Sequence, residues 1–135
     1  MSTVIRTELS AKNPYHISKH RMLELKHFCL QYEEWRKEYE KICVLRSYEG
    51  SSVQVSDISD RTSRLGMRAA ELKSNMELVK TCAQEAGDDI WTWLFEAVVY
   101  GYSFPELEGR GIPCGRDYYY IRYRRFFWVL DKRRS

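Results

Sequence analysis

Two stretches of this chain repeat apolar residues at alternating spacings of three and four, and that rhythm commits most of its length to helix. Leu25, Phe28, Tyr32, Trp35, Tyr39 and Ile42 make the first stripe, and Leu65, Ala69, Leu72, Met76, Val79 and Ala83 the second. Glu24, Lys26, Glu33, Glu34, Lys37, Glu38 and Lys41 fill the other faces of the first segment. Seven glycines and three prolines in 135 residues are too few for the many turns of an all-β chain. The expected fold class is therefore all-α, with antiparallel long helices at the N-terminal side and a helix-turn-helix at the C-terminal side.

Local signals place the breaks. Residues 1–14 read as a loose leader, since Pro14 disfavours helix in the residue before it. Ser18 suits a helix N-cap, and a break is expected near Tyr32–Glu33. Residues 47–56 (SYEGSSVQVS) show no sustained period and read as a linker. A second long helix is expected from about Asp57 to Ala86, with Gly66 marking its true start and Gly87 its stop. The stripes belong to a core, and two pairings stay open for them. They can fold back within one chain over residues 15–86, or pair between two chains and make a homodimer.

Residues 87–135 carry a different pattern. Asp88 or Asp89 is expected to cap a helix bearing Ile90, Trp91, Leu94, Phe95, Val98 and Val99, which ends at Tyr100-Gly101-Tyr102. Ser103 and Glu106 stand at capping-box spacing around Pro105, opening a short helix closed by Gly109 and Gly111. Ile112-Pro113-Cys114 makes a turn, and a last helix runs from about Gly115 to Lys132. Helix, short helix, tight turn and longer basic helix is the order of a helix-turn-helix, whose last helix enters the major groove.

Charge follows the same division. Residues 110–135 hold eight arginines and lysines against Asp117 and Asp131, a net +6, which leaves −3 for the preceding 109 residues. One polyanion-facing end on a nearly neutral scaffold is the implication. At 100° per residue, Tyr119, Tyr120, Tyr123, Phe126, Phe127 and Leu130 cluster on one side of the last helix and are expected to pack inward. Tyr118, Ile121, Arg125 and Lys132 point the opposite way, with Arg122 and Arg124 on the flanks. Because such a helix reads bases from its N-terminal half, Arg116, Tyr118, Ile121 and Arg122 are the candidates for base edges. Arg110, Arg124, Arg125, Lys132, Arg133 and Arg134 are the candidates for phosphates.

The runs Ile112-Pro113-Cys114-Gly115-Arg116-Asp117-Tyr118-Tyr119-Tyr120 and Arg122-Tyr123-Arg124-Arg125-Phe126-Phe127 resemble the C-terminal region of small phage-encoded regulators of the RinA/ArpU kind. The helix-turn-helix of those regulators is similar to region 4 of sigma factors. The resemblance covers roughly residues 88–134, and Gly115 stands where that pattern has serine. It implies a phage or prophage transcription regulator that binds double-stranded DNA in a bacterial host. Two other roles stay open: a DNA-packaging component like a small terminase subunit, or a phage-encoded inhibitor or adaptor of a host enzyme, with a host protein as partner.

Enzymatic chemistry finds no foothold in the sequence. It contains no GxxxxGK[ST] phosphate loop, no GxSxG and no HExxH. His16 and His20 share a spacing that zinc can use, but nothing nearby completes a four-ligand set, so neither metal nor cofactor is expected. Cys114 sits at an expected helix N-terminus, where the dipole lowers a thiol pKa, but capping is its expected job. Cys29, Cys43, Cys82 and Cys114 form no CxxC unit or disulfide framework. With no secretory-type leader and no apolar run of about 20 residues, the expectation is a cytoplasmic protein with free thiols and no membrane contact.

Overall fold

The computed structural model describes residues 14–49 and 56–134, and among them it is all-helical. The elements in order are α1 (Lys19–Leu30), α2 (Tyr32–Glu49), α3 (Ser56–Ala86), α4 (Trp91–Tyr100), α5 (Phe104–Gly109) and α6 (Arg116–Arg133). The expected leader, apart from Pro14, and residues 50–55 of the expected linker lie outside the described residues. None of the described helices is long and apolar enough to cross a membrane.

The first break falls at Gln31, one residue before the position read from the sequence. Ser18 opens α1 by accepting from the Met22 amide through its carbonyl, at 2.9 Å, and from the Arg21 amide through its hydroxyl. Ser47, Tyr48 and Glu49 extend α2 where a linker was expected, because once a helix is nucleated each further residue adds a hydrogen bond. Helix α3 runs straight through Gly66, which therefore does not mark its start. One glycine costs about 1 kcal/mol in a helix interior, little against the packing of a 31-residue helix.

The described residues group into two compact units, one of residues 31–77 and one of residues 14–30 with 78–134. Helix α3 contributes to both, so the grouping differs from a boundary at 86/87. In the first unit, α2 and α3 pair within one chain. Trp35, Ile42, Ala69 and Leu72 are buried there. Arg68 makes a two-pronged bridge to Glu38, with Nε to Oε2 at 2.8 Å and Nη2 to Oε1 at 3.0 Å. That contact holds the Glu38 carboxyl below its ordinary range.

In the second unit α1, α4 and α6 pack against one another, with the last turns of α3 completing the core. Leu25 and Cys29 of α1, Val79, Cys82 and Ala83 of α3, Leu94 of α4, Leu107 of α5 and Phe126, Phe127 and Leu130 of α6 are essentially sealed from solvent. Each large side chain so buried contributes about 1.5–3 kcal/mol. Burial pushes the Cys29 thiol up and raises Cys82 to about 12, so both stay protonated.

The turns are set by particular residues. Ser103 accepts from the Glu106 amide while the Glu106 carboxylate accepts from Ser103 N–H, a complete capping box. Helix α5 ends in a Schellman turn. Ile112 N–H reaches Leu107 O and Gly111 N–H reaches Glu108 O, both at 3.1 Å. Gly111 has φ +93, the left-handed conformation that this turn requires, and Ile112 and Leu107 are both buried beside it. Neither Asp88 nor Asp89 caps α4. Ile90 takes that position without a side-chain cap, and Asp89 is engaged elsewhere. Gly115, not Cys114, is the N-cap of α6, also without a side-chain bond.

A Cβ at Gly66 would meet the Arg46 guanidinium at 3.6 Å, an ordinary contact, whereas Gly101 closes α4 at φ +74. Gly66→Ala is expected to stabilise the protein by about 0.5–1 kcal/mol. Gly101→Ala is expected to destabilise it by at least as much. Urea unfolding midpoints of the two variants, compared with the parent, check both signs.

Candidate nucleic-acid interface

Helix α6 meets the rest of its unit on two faces. Tyr119, Phe126, Phe127 and Leu130 are buried on the aromatic side, as their spacing leads one to expect. Rings connect along it, Phe104 to Tyr119 at 5.3 Å, Tyr119 to Tyr123 at 5.7 Å and Tyr123 to Phe127 at 5.1 Å between centroids. The second face was missed by the sequence reading. Val129 is buried, Arg133 pairs with Glu85, and the Arg122 stem lies 3.4 Å from where a Cβ on Gly87 would stand. These contacts put the residue 85–89 corner against the strip formed by residues 118, 122, 129 and 133. The signal available in sequence was Val129, seven residues beyond Arg122 and so on the same helix face.

That second contact engages two of the four base-edge candidates. The Tyr118 hydroxyl donates to Asp89 Oδ2 at 2.5 Å. The Arg122 guanidinium stacks 4.9 Å above the Tyr118 ring, and no acceptor among the described residues meets its buried Nε. The Tyr118 hydrogen bond holds the Asp89 carboxyl below its ordinary range, with backbone amides and Arg122 adding to it. Tyr118 and Arg122 thus fasten α6 to the corner before α4. Arg116 is exposed in the first turn, its guanidinium 5.7 Å from the Tyr120 ring centroid, and Ile121 is 46% exposed.

The phosphate candidates divide likewise. Arg133 is bridged to Glu85, and Arg134 lies 3.9 Å over the Phe28 ring. Arg110 stacks on Tyr102 at 4.4 Å, beyond the end of α5. Arg124 and Arg125 are half-buried, and Lys132 is exposed with its ammonium 5.0 Å from the Trp128 ring. By helical geometry residues 117, 121, 124, 125, 128 and 132 occupy one arc of about 100°. On this arc, the outward side of α6, Ile121 and Lys132 are exposed and Arg124, Arg125 and Trp128 half-buried; the Arg124 Nε is sealed with no acceptor among the described residues, and the Trp128 ring lies 5.7 Å from that of Tyr15. The arc gathers Arg124, Arg125 and Lys132 around Ile121 and Trp128, with Asp117 in the first turn, where the helix dipole favours an acid.

Cys114 also departs from expectation. Its thiol is half-buried, and burial together with the nearby Asp89 raises its pKa rather than lowering it. Among the described residues, no three His, Cys, Asp or Glu side chains come together as metal ligands would.

Because the folded pKa of Asp89 is depressed, its hydrogen bond stabilises the protein above the ordinary carboxylate range. That stability is lost as pH falls through the lowered value. Tyr118→Phe is expected to move the Asp89 titration up toward the ordinary carboxylate value, as read by carboxylate NMR, and to reduce the fall in unfolding midpoint between pH 7 and pH 3. Comparison with profiles of known protein families, with curated proteins and with solved structures finds no match to this chain.

Proposed function

We propose that this chain binds double-stranded DNA through the outward face of α6 and acts as a sequence-specific regulator of transcription, of the phage or prophage kind. The observation that carries the reading is the arc of Arg124, Arg125 and Lys132 around Ile121, on a helix that ends a segment of net +6. Helix α5, its glycine-closed turn and α6 follow one another in helix-turn-helix order. The resemblance of residues 88–134 to small phage regulators supports the same reading.

In this proposal Ile121 faces the base edges from the outward arc, and Arg116 reaches them from the first turn of α6, off that arc. Arginine offers guanine a planar fork for two acceptors, and Ile121 offers an apolar surface for a thymine methyl. Arg124, Arg125 and Lys132 contact phosphates, which supply affinity and salt dependence without sequence information. Tyr118 and Arg122 position the helix from its inner side and do not touch DNA. The interface is basic and half-apolar, a composition suited to groove contact rather than catalysis.

The test is fluorescence anisotropy on a duplex selected from a random pool and on a scrambled duplex, at two salt concentrations. Arg125→Ala is expected to weaken binding to both duplexes alike and to reduce the salt slope by about 1. Arg116→Ala is expected to cost about 1–3 kcal/mol on the selected duplex alone. Equal, weak binding of the parent protein to both duplexes overturns the proposal.

A further inference from the structure

A groove on a different side of the same unit has the chemistry of a base-stacking site. Two adjoining cavities of about 200 and 230 Å³ share Gly101, Tyr102 and Tyr123. One continues over Ala97 and Val98 toward Leu30, and the other passes Ser103 and Phe104 to Tyr120. Gly101, without a side chain, leaves the floor open where the two cavities meet. Tyr102, Tyr120 and Tyr123 are half-buried and present ring surface to the groove, whereas Tyr119 is buried behind them.

Each of these three rings carries a cation. Arg110 lies 4.4 Å from the Tyr102 centroid, Arg116 5.7 Å from Tyr120 and the Lys26 ammonium 5.9 Å from Tyr123. Neither cavity is lined by a carboxylate. Glu106, next to the lining residue Ser103, is occupied by the capping box. Flat aromatic surface bordered by cations is complementary to a polymer of flat aromatic rings joined by anions. Cation–ring contacts are worth only about 0.5–1 kcal/mol at exposed sites, so Arg110 and Arg116 can exchange theirs for phosphates at small cost.

The geometry points to this groove as a binding site for single-stranded DNA, with two or three unpaired bases stacked against Tyr102, Tyr120 and Tyr123 and the backbone held by Arg110, Arg116 and Lys26. The choice of DNA over RNA rests on the duplex-DNA reading above; the stacking site itself does not. The groove lies apart from the outward arc of α6; Arg116, in the first turn, lies on the groove side of the helix and is the one residue that both readings use.

Anisotropy of a labelled oligothymidylate of about ten nucleotides tests the inference, alongside an abasic strand of equal length and charge and a DNA hairpin. Oligothymidylate is expected to bind about tenfold or more tighter than the abasic strand. Three phosphate contacts predict a log–log salt slope of about −2. Tyr102→Ala and Tyr120→Leu, each with the helical circular dichroism of the parent, are expected to remove most of that preference. Tyr120→Phe is expected to retain it, and Arg125→Ala to weaken the hairpin while leaving oligothymidylate unchanged. Equal binding of thymidylate and abasic strands overturns the inference, as does preference for oligouridylate or for a neutral proline-rich peptide. Loss of hairpin binding alone overturns the duplex reading and leaves the stacking site standing.

Discussion

Helix α6 is polar on average but is anchored along two strips, and the disposition of the whole basic segment depends on that anchoring. Phe126, Phe127 and Leu130 are sealed from solvent where α6 packs on α1 and α4, while Arg122 and Arg133 meet the corner at residues 85–89 and Val129 is buried on the same strip. Two packed strips leave exposed residues, Ile121 and Lys132 among them, on the remaining arc of the helix. Which arginines can meet a partner is therefore decided by packing, and a count of positive charges does not reveal it.

The Tyr118–Asp89 hydrogen bond shows how the polar residues serve that packing. A carboxylate in the turn before α4 receives a phenol from the first turns of α6, and a guanidinium lies across the phenol ring. These groups fix the rotation of α6 about its axis. Arg122, which the sequence offers as a base reader, is part of this joint. Exposed ion pairs such as Arg36 with Glu33 and Glu40 contribute little to stability, since solvent screens them.

Tyrosines have two separate uses in the same unit. Tyr119 fills the core, while Tyr102, Tyr120 and Tyr123 form the wall of a groove whose edges carry cations. The outward arc of α6 and this groove present different chemistry, charge around an apolar centre on one side and ring surface bordered by charge on the other. In the two proposals made above, the first meets duplex DNA and the second unpaired bases.

The three-four stripes, the capping box at Ser103 and Glu106, and the aromatic face of α6 were all legible from the amino-acid order. Each depends on residues within a few positions of one another, where helical geometry alone sets what can meet. The pairing of α2 with α3 inside one chain, the contacts that engage Arg122 and Arg133, and the loss of the expected aspartate cap on α4 were not. These depend on contacts such as Glu38 with Arg68, Asp89 with Tyr118 and Glu85 with Arg133, separated by 29 to 48 positions. The sequence determined that the described residues are helical, where α3, α4 and α5 stop and that positive charge gathers at one end. Tertiary structure decided which of those charges are consumed in holding the helices together and which are left facing outward, because a helix has several faces and only its neighbours choose among them.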